Sequence, residues 1–202
     1  MTAIVDYGVG NLFSLSASFK KIGVETVVTS DVNLISKAER IILPGVGAFG
    51  DAADKLRKSG LDKVVISEAK KGKPLLGICL GMQLLFEESE EFGTHKGLGL
   101  LKGKVIPMKD VIPEGLKIPQ MGWNNLIIKR ESKIFKYIKN NDYVYFVHSF
   151  FATDCDDSLI ATTNYGAELT VAVSKDNICG CQFHPEKSGE IGLNILKAFC
   201  EH

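Results

Sequence analysis

The sequence has no excess of charge of either sign. Its 24 Lys and Arg stand against 24 Asp and Glu, a formal net charge of zero. Bulk electrostatic attraction to nucleic acid or to an anionic membrane is thereby excluded. No apolar run approaches the roughly 18 residues that mark a bilayer-spanning helix. The first residues read MTAIVDYG, with no basic leader and with Asp6 interrupting the apolar stretch. That is not the pattern of a secretory signal, and the expected location is the cytoplasm. Cysteine is sparse: Cys79, Cys155, Cys179, Cys181 and Cys200. An odd count at irregular spacing argues against a disulfide framework. Cys179 and Cys181 would share one face of a strand. No second Cys or His pair at ligand spacing follows them, so no metal is expected, and no cofactor either. Internal repeats, low-complexity tracts and linkers are also missing, and 202 residues read as a single domain, 1–202.

What is present is an ordinary globular mixture, 45% hydrophobic and 24% charged, with apolar material for a sizeable core. The first half alternates strand and helix signals. TAIVDYG reads as a buried strand ending in a glycine turn. Asn11 to Ile22 carries Leu12, Leu15, Phe19 and Ile22 at helical spacing, and Gly23 closes it. VETVVTS and ERIILPG read as further strands, and residues 52–59 and 61–71 as helices. KPLLGICLG reads as a strand running straight into a helix over LGMQLLFEES. This order predicts an α/β fold with an open, mostly parallel central sheet and helices on both faces. After residue 98 the pattern changes. GKVIPM, NNLIIK, VYFVHSFFA, LIATTNYG, LTVAVSK and NICGCQF read as strands, the last ending at His184, and they predict antiparallel strands added at one edge. A helix from about Ile191 to Cys200 completes the chain.

The strongest chemical signal is Gly77-Ile78-Cys79-Leu80-Gly81, the G-x-nucleophile-x-G form of a nucleophile elbow with cysteine at its centre. An elbow is a tight strand-to-helix turn, and its flanking glycines leave room for close backbone approach. The helix start beyond it offers free N–H groups that favour a thiolate and a developing oxyanion. By spacing alone, a buried structural cysteine between two turn glycines fits equally well. A thiol nucleophile also needs a base, and the base an orienting acceptor. Of four histidines, His202 is terminal and His95 lies in a polar glycine-rich loop. His148 fits a core or interface histidine. His184-Pro185-Glu186 fits best, because it follows a strand at the end where an open parallel sheet forms its crevice. Glu186 is close enough to hold the imidazole. Leu43-Pro44-Gly45-Val46-Gly47 follows the third strand, and its glycines let a backbone N–H point into the crevice. It is not a P-loop, and read alone it also fits an ordinary turn.

Taken in order, LPGVG, GICLGMQ and HPEKS resemble the class I, or triad, glutamine amidotransferases. The likeness extends over nearly the whole chain: DYGVGNL at 6–12, LPGVGAFG at 43–50, GICLGMQLLFEESEE at 77–91, MGWN at 121–124, YFVHSF at 145–150 and QFHPEKSG at 182–189. Within the family it points to the glutaminases of histidine biosynthesis. The resemblance implies that Cys79 attacks the glutamine amide, that His184 is base and then acid, and that Glu186 orients it. It implies an oxyanion hole from Gly45, Val46, Gly47 and the N–H of Leu80. It implies glutamine binding by Gln83, Glu91, Ser149 and Phe150. Phe150 and Phe151 stand where some relatives carry a tyrosine and a basic residue, a change that main-chain contacts survive. The implied partner is a (βα)₈-barrel cyclase forming a heterodimer, with Asn11, Trp123, Tyr145 and Lys187 at the interface. The residues also leave room for a glutaminase of pyridoxal phosphate synthesis or a paralogous pathway, for a partner-independent γ-glutamyl hydrolase, and for a non-catalytic regulatory module.

Overall fold

A computed structural model of the chain describes residues 1–201. Its first half is built from apolar strands whose alternate side chains enter two different cores. The elements are β1 (Thr2–Val5), α1 (Leu12–Lys21), β2 (Thr26–Thr29), α2 (Val32–Lys37) and β3 (Arg40–Gly45). Helices α3 (Phe49–Lys58) and α4 (Leu61–Lys70), strand β4 (Leu75–Cys79) and helix α5 (Leu80–Gln83) follow. Ala3, Val5, Ile41, Leu43 and Leu75 pack with Phe49, Leu56 and Val65 on one face. Ile4, Ile42 and Leu76 pack with Leu15 and Phe19 on the other. The period-two alternation of each strand therefore feeds both layers, as a parallel sheet covered on both faces requires.

The second half contributes β5 (Glu88–Ser89), β6 (His95–Lys96), β7 (Lys104–Pro107), β8 (Gln120–Asn125), β9 (Ile127–Ile128) and β10 (Tyr143–His148). It continues with β11 (Phe150–Thr153), β12 (Leu159–Asn164), β13 (Glu168–Lys175), β14 (Ile178–Cys181) and α6 (Gly189–Cys200). The main sheet runs β2-β1-β3-β4-β14-β13-β11-β7-β5-β6, with β12 and then β9 attached at the other edge of β13. The five strands from β2 to β14 are parallel. From β13 outward the pairing is antiparallel apart from β5 on β7. The expected open α/β sheet is thus parallel at its centre and mixed as a whole. Strands β8 and β10 form a separate antiparallel ribbon, with Trp123 opposite Tyr145.

Three expectations change in detail. The amphipathic helix expected over LGMQLLFEES is only Leu80–Gln83. Its whole surface is buried, and so are Leu84, Leu85 and Phe86 beyond it, so no solvent-facing side supports further turns there. VYFVHSFFA is two strands that part at Ser149, β10 entering the ribbon and β11 the main sheet. The last strand ends at Cys181 rather than at His184. Helix α2 is an addition: the Asp31 side chain caps it by accepting from the Asn33 amide at 2.7 Å. No helix among the described residues is long and apolar enough to cross a membrane.

Candidate active site

Cys79 is the last residue of β4 and the cap of α5, with φ 55° and ψ −115°. A positive φ at a non-glycine residue is strained and persists only where its surroundings enforce it. The flanking glycines do so here. A Cβ at Gly81 would fall on the Leu43 carbonyl, and one at Gly77 would lie 2.7 Å from the Gly81 oxygen. The α5 backbone is therefore pressed directly onto β3 and β4. Because α5 is one turn long, the expected dipole of a full helix is not available, and what remains is the free N–H groups of that turn.

His184 and Glu186 stand at the far end of the neighbouring strand β14, three and five residues past Cys181. His184 Nδ1 donates to Glu186 Oε1 at 2.8 Å, with both side chains 3% exposed. The carboxylate fixes the Nδ1–H tautomer and leaves Nε2 free. Nε2 is buried with no hydrogen bond closed on it. Burial disfavours the imidazolium, but the Cys79 sulfur and the Glu186 carboxylate outweigh it and push His184 up to about 10.

A cavity of about 360 Å³ opens at Cys79 and His184, a size suited to an amino acid. Of the residues singled out in the sequence, Val46, Gly47, Leu80, Gln83, Glu91, Ser149 and Phe150 line it. Gly45 and Glu186 lie behind it, in a narrow cleft shared with Asn11. Gly47 has φ 92°, so the loop after β3 turns through a conformation that glycine adopts readily. Glu91 is not at a helix end: it follows β5 and accepts the Phe49 N–H, the first of α3, at 2.6 Å. Burial raises its carboxyl, and the Phe49 amide offsets part of this. Trp123 is 55% exposed and meets Tyr145 edge-on, with ring centroids 6.1 Å apart. Lys187 Nζ stands 5.8 Å from the Tyr145 ring. These three residues form one outward-facing cluster. His95 packs against Gly50 and does not line the cavity, and His202 lies outside the described residues.

Sequence reasoning missed three polar residues at this site. Gln182 is fully buried, and its Nε2 donates toward Cys79 Sγ at 3.7 Å. Tyr7 donates its hydroxyl to the Pro44 carbonyl at 2.7 Å. Burial, and secondly Cys79, raise its phenol well above the ordinary value, so it stays a donor and holds the end of β3. His148 lines the cavity, where sequence reading had placed it in a core or interface. Its Nδ1 must donate to the Phe150 carbonyl at 2.8 Å, because a backbone oxygen only accepts. Nε2 lies 3.0 Å from the Gln120 carboxamide oxygen. A neutral ring accepts there, so the pair closes with the amide turned over to present its NH₂. The available signal for all three was a polar residue inside an otherwise apolar run.

His148 carries a pH prediction. Burial, with His184 adding to it, pulls its imidazole down to about 4 from an ordinary 6.5. The folded chain then binds fewer protons than the unfolded chain between those values. The stability from the neutral buried ring is complete above about pH 6.5 and is lost as pH falls toward 4. Urea unfolding at pH 7 and pH 4.5 should show the wild type losing about 2 kcal/mol more than His148→Gln. Equal losses would contradict this.

A parallel sheet carries a strained thiol at one strand end and a carboxylate-held imidazole at the next, and the chain as a whole belongs to the class I glutamine amidotransferases. The family model Glutamine amidotransferase class-I matches residues 3–202. Among curated relatives, the imidazole glycerol phosphate synthase subunit HisH of Lactococcus lactis is 52% identical over 98% of this chain and 96% of its own length. The same subunit from Caldanaerobacter subterraneus is 50% identical over 100% and 98%. The chain belongs, within the class, to the family of imidazole glycerol phosphate synthase HisH subunits. Solved structures agree on the fold. PurLQS from Thermotoga maritima gives a TM-score of 0.77 at 22% identity, covering 99% of this chain and 97% of that one. The glutaminase domain of Trypanosoma brucei CTPS with bound acivicin gives 0.67 at 17%, covering 99% and 93%.

Proposed function

We propose that Cys79, His184 and Glu186 hydrolyse the side-chain amide of glutamine, and that the ammonia passes to a (βα)₈-barrel cyclase subunit. The chain is the glutaminase subunit of imidazole glycerol phosphate synthase, one glutaminase domain acting in histidine biosynthesis. The partner reaction forms imidazole glycerol phosphate and AICAR, in a cytoplasmic heterodimer. The observation that carries the catalytic reading is the His184 ring, held at Nδ1 by Glu186 with its Nε2 buried and unpartnered beside Cys79.

The geometry supports these steps. Cys79 gives its thiol proton to His184 Nε2, its Sγ attacks the amide carbon, and N–H groups of Leu80 and of the loop at Gly45, Val46 and Gly47 receive the oxyanion. His184 Nε2 gives its proton to the departing nitrogen, leaving a thioester and ammonia. Water, deprotonated by His184, then attacks the thioester and releases glutamate and the thiolate. Gln83 and Glu91, both lining the cavity, hold the amino acid. The Phe150 carbonyl already accepts from His148 and Gln83, and the Ser149 carbonyl from the Met108 amide. Substrate contacts along this segment therefore come from N–H donors, which suits a carboxylate. The loop after β3 gates the site: isolated turnover is low and rises when the partner binds its own ligand.

Asn11, Trp123, Tyr145 and Lys187 form the partner face. An exposed tryptophan set edge-on against a tyrosine is a typical interface anchor. Trp123→Ala should weaken binding of the barrel subunit by roughly 30-fold or more in a titration, and an unchanged Kd would remove Trp123 from that face. The whole proposal is tested by reconstitution with the barrel cyclase and, separately, with the synthase subunit of a different glutaminase. Glutamine-dependent product is expected with the first alone. Full glutamine turnover without any partner would overturn the dependence on a cyclase.

A further inference from the structure

Gln182 takes no part in the steps above, yet it touches the reacting sulfur. It lies in the run CGCQF, two residues before His184, and it is fully buried. Its Nε2 is 3.7 Å from Cys79 Sγ, and its Oε1 accepts from Gln83 Nε2 at 2.9 Å. Gln83 Nε2 in turn donates to the Phe150 carbonyl at 3.2 Å.

A carboxamide can be turned over, so the sense of this chain must be fixed by a group with a single role. The Phe150 carbonyl is that group, since it can only accept. It takes one hydrogen of the Gln83 NH₂. The second hydrogen goes to Gln182, which must therefore present Oε1. The NH₂ of Gln182 is left facing the sulfur. The opposite orientation would set the Gln182 NH₂ against the Gln83 NH₂ and the Gln182 oxygen against an ionising sulfur, both at buried positions.

We propose that Gln182 is a hydrogen-bond donor to the reacting sulfur of Cys79, oriented through Gln83 by the Phe150 carbonyl. This rests on the reading of Cys79 as the nucleophile. In the thiol state the S–H hydrogen can point to the Val147 carbonyl at 4.0 Å while the sulfur accepts weakly from Gln182. On ionisation the Val147 carbonyl becomes a poor neighbour, and the Gln182 bond becomes charge-assisted and stronger. The donor thus acts twice. It raises the anionic fraction before attack, and it receives the charge that returns to sulfur when the thioester is hydrolysed. Gln83 gains a second duty besides substrate contact, because its NH₂ sets which end of Gln182 meets the sulfur.

The test uses the full chain in complex with the barrel subunit. Gln182→Met keeps the side-chain length and removes the donor. Gln182→Glu removes the donor but keeps the acceptor for Gln83, and serves if the first variant does not fold. The alkylation of Cys79 by iodoacetamide is followed against pH by mass spectrometry of the Cys79 peptide, beside glutaminase kinetics. Both variants should move the midpoint of the alkylation profile to higher pH by about one unit. They should lower kcat about tenfold and change KM less than about twofold. An unmoved midpoint in a folded variant overturns the proposal, and so does a raised KM with kcat intact, which would make Gln182 only a support for Gln83. Failure of the underlying reading looks different: Cys79→Ser would then retain glutamine turnover.

Discussion

Replacing Cys79 by serine should abolish glutamine-dependent product formation, by at least about 10³-fold. The same variant should use added ammonia as well as the wild type does. The contrast follows from the placement of the residue. Cys79 is a buried strand terminus in a φ 55° conformation, and its sulfur lies between the Val147 carbonyl and the Gln182 amide. Serine fills almost the same volume, so the elbow and the partner face are undisturbed. The oxygen nucleophile, however, meets a ring arranged for sulfur: His184 is pushed up to about 10 in part by Cys79. An alcohol gives that ring no comparable anionic partner. Steady-state assays of the reconstituted complex, run in parallel on glutamine and on an ammonium salt, measure both quantities. Retained glutamine turnover would remove Cys79 from the chemistry, and loss of ammonia turnover would mean that the substitution had damaged the complex itself.

The second large effect is structural. In Gly81→Ala the new methyl lands on the Leu43 carbonyl and within 3.1 Å of the Pro44 carbonyl carbon. These are backbone atoms of the central strand β3, paired to β1 and β4, and they have no rotamer to yield. Either α5 lifts from the sheet or β3 shifts. The expected cost is about 3 kcal/mol or more, which for a chain of this size lowers Tm by roughly 10 °C. The surviving folded fraction should have lost glutaminase activity, because lifting α5 moves the Leu80 N–H away from the cavity. A thermal melt and an activity assay on the same preparation check this, and a wild-type Tm would mean that β3 accommodates the methyl.

The elbow was legible because glycine spacing records a steric need: Gly77 and Gly81 are the places where backbone meets backbone. The alternating half of the sheet was legible for a related reason. Its inner strands β1, β3 and β4 are mainly apolar on both faces and each long helix on one. Legibility failed where burial removed the pattern. Residues 80–86 are buried throughout, so neither a short helix nor its end leaves a polar mark. Strands β10 and β11 share one apolar run, and nothing in YFVHSFF announces that the chain changes sheets at Ser149. Helix α2 escaped because it is six residues long and buries Ile35 alone. Glu91 reaches from a loop to the first turn of α3, 42 residues away, a contact no local pattern encodes. Gln182, His148 and Tyr7 were missed as partners because their roles are set by neighbours 28 to 103 residues away, a distance that no local pattern encodes.

The ribbon strand β10 alternates between buried Val144, Phe146 and His148 and the more open Tyr143, Tyr145 and Val147. Tyr145 turns its ring outward to Trp123, while its carbonyl accepts the His184 N–H at 2.9 Å and its N–H donates to Ser188 Oγ at 2.9 Å. Ser188 Oγ returns a bond to the His184 carbonyl at 2.6 Å. The outward aromatic pair and the buried imidazole are thus tied through one peptide unit and the Ser188 hydroxyl, so a push on the Tyr145 backbone reaches the His184 backbone with no intervening side chain but that hydroxyl.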